Sequence, residues 1–313
     1  MSMKNATAQK RAQNDPPALE IPPGGPWTVE KSIAYCVEMA RQEPENTPLA
    51  YWFVPNALRP HLATVYAYTR MTHDFGADPR FEAEREEQLA AWEAALLDAA
   101  DGKAQHPVLV SLKNTIDQYK LPMTPFTDQI VGARMNMRVR RYTNFQQLMT
   151  YIEKATFPIG RVILHMGGSD QVEHVRAADD IMTAMQLNTF WTHLSRDFER
   201  GRIYIPEEDL RRFGVTESDL KQRRLSREFR ALMDFEIQRT RMYLKRGQPL
   251  RDHLPKTMQT ELQVLLMGVE VALDNIIADK CDVFTQSHAL KPKDWARAVA
   301  RFASWRVKEL TQW

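Results

Sequence analysis

Along most of this chain the apolar residues recur every three to four positions, the spacing of a helix face. In residues 186–206, QLNTFWTHLSRDFERGRIYIP, Leu187, Phe190, Trp191 and Leu194 share one face. His193 and Asp197 are four residues apart and are expected to project as neighbours from one side of that helix. Gly201 reads as its stop, and Pro206 prevents continuation. Residues 58–78 carry a second stripe, Leu62, Val65, Tyr66 and Thr69, which runs into Arg70, His73 and Asp74 and closes at Gly76 and Pro79. The same periodicity predicts helices over 28–41, with Thr28 as N-cap, and over 49–54. It predicts 82–100, with Leu89, Trp92, Leu96 and Leu97 inward, then 108–120 and 126–139. Helices over 145–156 and 159–166 are expected to be split by Pro158, and 177–197 leads into the stretch quoted first. Further helices are expected at 208–213, from 216, and over 225–246, 257–281 and 294–310. No segment alternates with period two over any length, so the expected fold class is all-α.

Composition narrows this to a globular protein. Of the 313 residues 43% are hydrophobic and 26% charged, enough to bury a substantial core. Residues 1–26 are polar and end in Pro22-Pro23-Gly24-Gly25-Pro26, which predicts a disordered or loosely draped arm. No Pro/Gly/Ser linker divides the middle, so residues 27–313 are expected to form one domain. A net charge of +2 provides no global field for nucleic acid. Cys36 and Cys281 are the only cysteines, which excludes a disulfide framework and a thiolate metal site. The N-terminus has no apolar signal region, and no uncharged apolar run approaches the ~18 residues of a membrane span. The expected location is cytoplasmic. The basic amphipathic segment 294–310, with Trp295, Phe302 and Trp305, is suited either to peripheral contact with the inner membrane face or to packing on the bundle.

Candidate chemistry gathers at two helix ends. One holds Arg70, Asp74 and Asp78, the other Arg196, Asp197, Glu199, Arg200 and Arg202. If the two face each other, carboxylates can hold Mg²⁺ while guanidiniums contact phosphate oxygens. Apolar faces behind them would form a dry pocket. The alternative is a pair of solvated, salt-bridged helix ends.

Three ordered blocks resemble the squalene and phytoene synthase family, most nearly its bacterial hydroxysqualene (squalene) synthase branch. They are ENTPLAYWFVPNALRPHLATVYAYTRMTHDFGADP, RRYTNFQQLMTYIEKATFPIGRVILHMGG and QLNTFWTHLSRDFERGRIYIPEEDL, with RTRMYLKRGQPL resembling the helix that follows. The resemblance spans residues 45–255. It implies an isoprenoid-synthase helical bundle around an apolar cavity that accepts a prenyl diphosphate. It implies Asp74, Asp78 and Asp197 as ligands of Mg²⁺, and Arg70, Gln186, Arg202 and Tyr204 as substrate contacts. His73, His193 and Tyr151 are then the candidates for catalysis, the histidines by proton transfer or water activation. Tyr151 and Tyr204 could equally be core tyrosines.

The departures from the family pattern bear on the metal. Its paired first-motif aspartates fall on His73 and Ala77, and Asp74 and Asp78 repeat the spacing one residue later. Asn136, Thr189 and His193 stand where the pattern has an aspartate, an asparagine and an aspartate. Imidazole is a poor ligand for Mg²⁺. Two functions therefore stay open: an enzyme converting presqualene diphosphate or a relative to hydroxysqualene or squalene, and a non-catalytic lipid-binding or assembly protein. Water capture of the cation needs no NAD(P)H, and no Gly-rich dinucleotide fingerprint is present.

Overall fold

The chain is all-α, as its periodicity predicts. The computed structural model describes residues 19–42, 55–285, 288 and 290–311, and every regular element among them is helical. The first half comprises α1 (Val29–Arg41), α2 (Arg59–Ala77), α3 (Arg85–Ala100), α4 (Pro107–Tyr119) and α5 (Thr124–Arg138). The centre comprises α6 (Phe145–Ala155), α7 (Phe157–Met166), α8 (Val172–Thr192) and α9 (Leu194–Glu199). Then come α10 (Glu207–Phe213), α11 (Glu217–Lys221), α12 (Arg227–Gly247), α13 (Lys256–Ala278) and α14 (Pro292–Thr311). Residues 1–18 of the expected arm, the helix expected at 49–54 and most of the loop before it lie outside the described residues. The rest of the arm is non-helical, and the ring of Trp27, the residue after it, packs edge-on against Tyr35 of α1.

Local chemistry sets most helix starts. The Thr28 hydroxyl accepts from the Lys31 amide at 3.4 Å, and the Ser226 hydroxyl accepts from the Phe229 amide at 3.1 Å. Thr216 and Asp219 form a reciprocal capping box at the head of α11. Pro158 does not divide α6 from α7, contrary to expectation. The break falls at Thr156, and Pro158 sits in the first turn of α7, where a missing N–H costs nothing. Leu97 also departs from expectation: Leu89, Trp92 and Leu96 are buried, but Leu97 is 56% exposed. It lies one position past the α3 stripe, on the face turned to solvent.

Two buried clusters make the core. One joins α1 to α5 around Tyr68, Trp92 and Phe126, and the other joins α6 to α13 around Trp191, Phe229 and Leu273. Polar edges of these rings are satisfied inside. Trp92 Nε1 donates to Thr72 Oγ1, and Trp191 Nε1 donates to Thr240 Oγ1, both at 2.9 Å. Helix α7 belongs to both clusters, with Val162 and Met166 in the first and Phe157 and Leu164 in the second. Along this seam α5 lies very close to α6. A Cβ on Gly132 would stand 2.7 Å from the Ala155 Cα, so only glycine permits the approach. Helix α14 docks on α13 with Asp294 and Ala298 buried, and Trp295 lies against Gly268. Among the described residues no helix is long and apolar enough to cross a membrane.

Candidate active site

The seam between the two cores holds a cavity of about 420 Å³ walled by α2, α5, α6, α7, α8 and α9. The two helix ends singled out in the sequence do face each other across it. His73, Asp74 and Asp78 line one side, and His193, Arg196, Asp197 and Arg200 line the other. The proximity has an electrostatic consequence, because His73 on α2 acts on the Asp197 carboxyl of α9.

The lining is graded. At the rim the His73 side chain is 60% exposed and that of Arg196 49%. Deeper in, Tyr151, Phe190 and Tyr204 are all buried. The Phe190 and Tyr204 rings stack with centroids 3.9 Å apart and planes 9° apart, and Tyr151 stacks on both. Tyr204 Oη donates to Asn136 Oδ1 at 2.6 Å, which fixes the ring across the seam. Burial pushes the Tyr151 and Tyr204 phenols above their ordinary range, so both are neutral donors. Gln186 is held from the break between α6 and α7, its Oε1 accepting from Thr156 Oγ1 at 3.0 Å.

The expected continuous helix from 177 to 197 breaks at His193, which leaves helical geometry with φ −115° and ψ 14°. The Thr189 carbonyl explains the break. It accepts from the His193 amide at 3.1 Å, from His193 Nδ1 at 3.0 Å and from Thr192 Oγ1 at 3.2 Å. Side-chain donors here compete with the backbone ladder. A carbonyl only accepts, so Nδ1 carries the proton, and the lone pair of the neutral ring is on Nε2. The turn from the His193 carbonyl to the Asp197 amide survives at 2.9 Å, so both residues still face the cavity.

Each carboxylate assigned to Mg²⁺ has an arginine against it. Arg70 Nε donates to both Asp74 oxygens, at 2.9 and 2.8 Å. Burial works against ionisation of Asp74, but hydrogen bonds from His73 and Arg70 outweigh it and hold the carboxyl below its ordinary value. Asp78 caps the 3-10 turn Pro79–Phe81, accepting from the Arg80 amide at 2.8 Å and from its guanidinium at 3.0 Å. Asp197 is pushed above its ordinary value by burial, with Arg196, Arg202 and Arg200 opposing. Among the described residues no three His, Cys, Asp or Glu side chains converge as a metal ion would require. Mg²⁺ asks for near-octahedral oxygen ligation. This donor set, with imidazoles at 73 and 193, does not fit such a cage.

Arg202 is the one predicted site residue that does not line the cavity. It is 5% exposed and lies behind Asp197 among Trp191, Leu194 and Leu220. Gly201, at φ 76°, reverses the chain there, so Arg200 faces the cavity and Arg202 the wall. Phe190 lies on the apolar face expected to wall the pocket, whereas Gln129 as a lining residue and Arg80 as the partner of Asp78 were missed. Of these two, Arg80 alone carried a signal, the Asp-Pro-Arg sequence of a capped turn.

Comparison with known proteins gives a consistent picture. Residues 40–296 match the family model for squalene/phytoene synthase. The phytoene synthase of Arthrospira platensis is 28% identical over 274 residues, covering 83% of this chain and 89% of its own. The 15-cis-phytoene synthase of Synechocystis sp. is 28% identical over 271 residues, covering 83% and 80%. Among solved structures, squalene synthase HpnC from Alicyclobacillus acidocaldarius superimposes with a TM-score of 0.76 at 31% identity, covering 80% of this chain and 95% of that one. A dehydrosqualene synthase shares the fold, with a TM-score of 0.82 at 20% identity over 90% of this chain and 98% of its own.

Proposed function

The chain belongs to the squalene/phytoene synthase family, and from that premise we propose that its cavity binds presqualene diphosphate, or a closely related prenyl diphosphate, and converts it to hydroxysqualene. The observation that supports this best is the grading of one cavity from an arginine-lined rim to an aromatic interior. A prenyl diphosphate has the same two ends. Arg70, Arg196 and Arg200 suit the phosphate oxygens, because guanidiniums pair with them bidentately.

In this reading the carbon–oxygen bond breaks, and its electron pair leaves on the diphosphate. The guanidiniums stabilise that charge as it develops. The carbocation left behind lies beside the aromatic wall of Tyr151, Phe190 and Tyr204, whose ring electrons attract positive charge. The ring bonds of this cyclopropylcarbinyl cation rearrange and open to a linear cation, to which water adds, giving up a proton. His193 is the acceptor: with Nδ1 against the Thr189 carbonyl, Nε2 is the ring nitrogen that takes the proton. Water capture consumes no hydride.

The pairing of each cavity carboxylate with an arginine favours a second reading, prenyl diphosphate binding without turnover. Incubating the full-length protein with presqualene diphosphate, with and without MgCl₂, and following products by mass spectrometry separates the two. Hydroxysqualene above a no-protein control is the expected result. Bound but unchanged presqualene diphosphate at high protein concentration contradicts turnover and leaves the second reading.

A further inference from the structure

We infer that the cavity takes the diphosphate of its ligand directly on arginine side chains, with no divalent cation between protein and phosphate; this rests on the prenyl diphosphate reading above. A metal bridge needs carboxylate oxygens turned toward the ligand and available to the ion. Here two of the three lining carboxylates are hydrogen-bonded, Asp74 by Arg70 through both oxygens and Asp78 by Arg80 and a backbone amide, and the third is ion-paired. Asp197 lies 3.7 Å from Arg196, with Arg202 buried behind it. A Mg²⁺ entering between α2 and α9 would have to displace charge-assisted hydrogen bonds and shed much of its water. It would then find imidazoles, not oxygens, at positions 73 and 193.

The charge balance points the same way. Five guanidiniums, those of Arg70, Arg80, Arg196, Arg200 and Arg202, lie on or directly behind this wall, against three carboxylates. The surplus is positive before any metal arrives. The cavity partly excludes solvent, so that surplus acts at reduced dielectric on an anion held at the rim. Arg196 and Arg200 belong to the end of α9, and the Arg200 carbonyl accepts from Arg140 Nη1 at 3.3 Å, which holds that end in place. Guanidiniums carried on a tethered helix end thus occupy the role that a bridging metal would otherwise fill.

Titration calorimetry on metal-stripped, full-length protein tests this, with farnesyl thiolodiphosphate as probe and farnesol as the control lacking phosphate. The expected result is saturable binding in EDTA with an affinity within about threefold of that in MgCl₂. Arg196→Ala combined with Arg200→Ala, both surface-accessible changes, should weaken binding in EDTA at least ~10-fold while circular dichroism stays unchanged. Binding that appears only with MgCl₂ overturns the metal-free inference and leaves the prenyl diphosphate reading standing. No binding of the thiolodiphosphate in either buffer overturns both.

Discussion

Tyr204 and Asn136 show how much one side chain can settle at this site. Their 2.6 Å hydrogen bond ties the loop after α9 to α5 across the seam. Tyr204→Phe removes the donor and leaves a buried amide oxygen without that partner, so a loss of about 1–3 kcal/mol is expected. Adding Asn136→Leu, which removes the acceptor as well, should recover part of it. Thermal melting of the single and double variants checks both outcomes. The histidines make the converse case. His73→Asp, Ala77→Asp and His193→Asp together would place two carboxylates at helical spacing on α2 and one beside Asp197. The expected outcome is thiolodiphosphate binding that gains at least ~10-fold from Mg²⁺, where the parent gains little. A folded triple variant with no such gain would mean that side-chain identity alone does not account for the altered metal chemistry.

Helix positions were legible from periodicity, and helix ends were legible where a cap or proline marked them. The break at His193 was not. It arises where two side-chain donors join the ladder amide on the Thr189 carbonyl, and a stripe of apolar residues carries no trace of that competition. The start of α4 illustrates a cap with a pH signature. His106 is buried against Trp92, and its Nδ1 accepts from the Val108 amide at 3.3 Å. Burial pushes its pKa down to about 4. The unfolded chain, with an ordinary histidine near 6.5, therefore takes up the proton first as pH falls. The stabilising contribution is complete above about pH 6.5 and is lost as pH falls toward 4, on the order of 3 kcal/mol in all. His106→Asn keeps a capping acceptor and cannot titrate there. Its melting temperature should fall less between pH 6.5 and 4 than that of the parent. The C-terminal helix is a third case. Its basic, aromatic pattern left membrane and bundle contact open, and the structure packs Asp294, Trp295 and Ala298 toward α13.

At the scale of the whole molecule, the all-α class and the meeting of two charged helix ends could be read from sequence, the second through three blocks that are individually weak and jointly specific. What could not be read was which way each charge faces. Arg200 and Arg202 differ by two positions, yet a left-handed Gly201 sends one to the cavity and the other behind Asp197. Spacing does allow the Arg70–Asp74 pair, which is i, i+4 on one helix, but not the Asp78–Arg80 pair, which depends on the turn after α2. Among the described residues the two cores meet along α7, at the close α5–α6 approach and through the Tyr204–Asn136 hydrogen bond, so the cavity belongs to the assembled bundle and not to any one segment.

The proposed prenyl diphosphate site along this seam has an arginine-bound head and an aromatic-walled tail, and a crystal structure of the protein with farnesyl thiolodiphosphate, grown in EDTA, tests it. The expected result is phosphate oxygens within hydrogen-bonding distance of Arg70, Arg196 or Arg200, the prenyl chain running past Tyr151 and Phe190, and no metal between. A ligand bound outside the seam, or one in which the chain lies at the rim and the diphosphate against the aromatic wall, would contradict it.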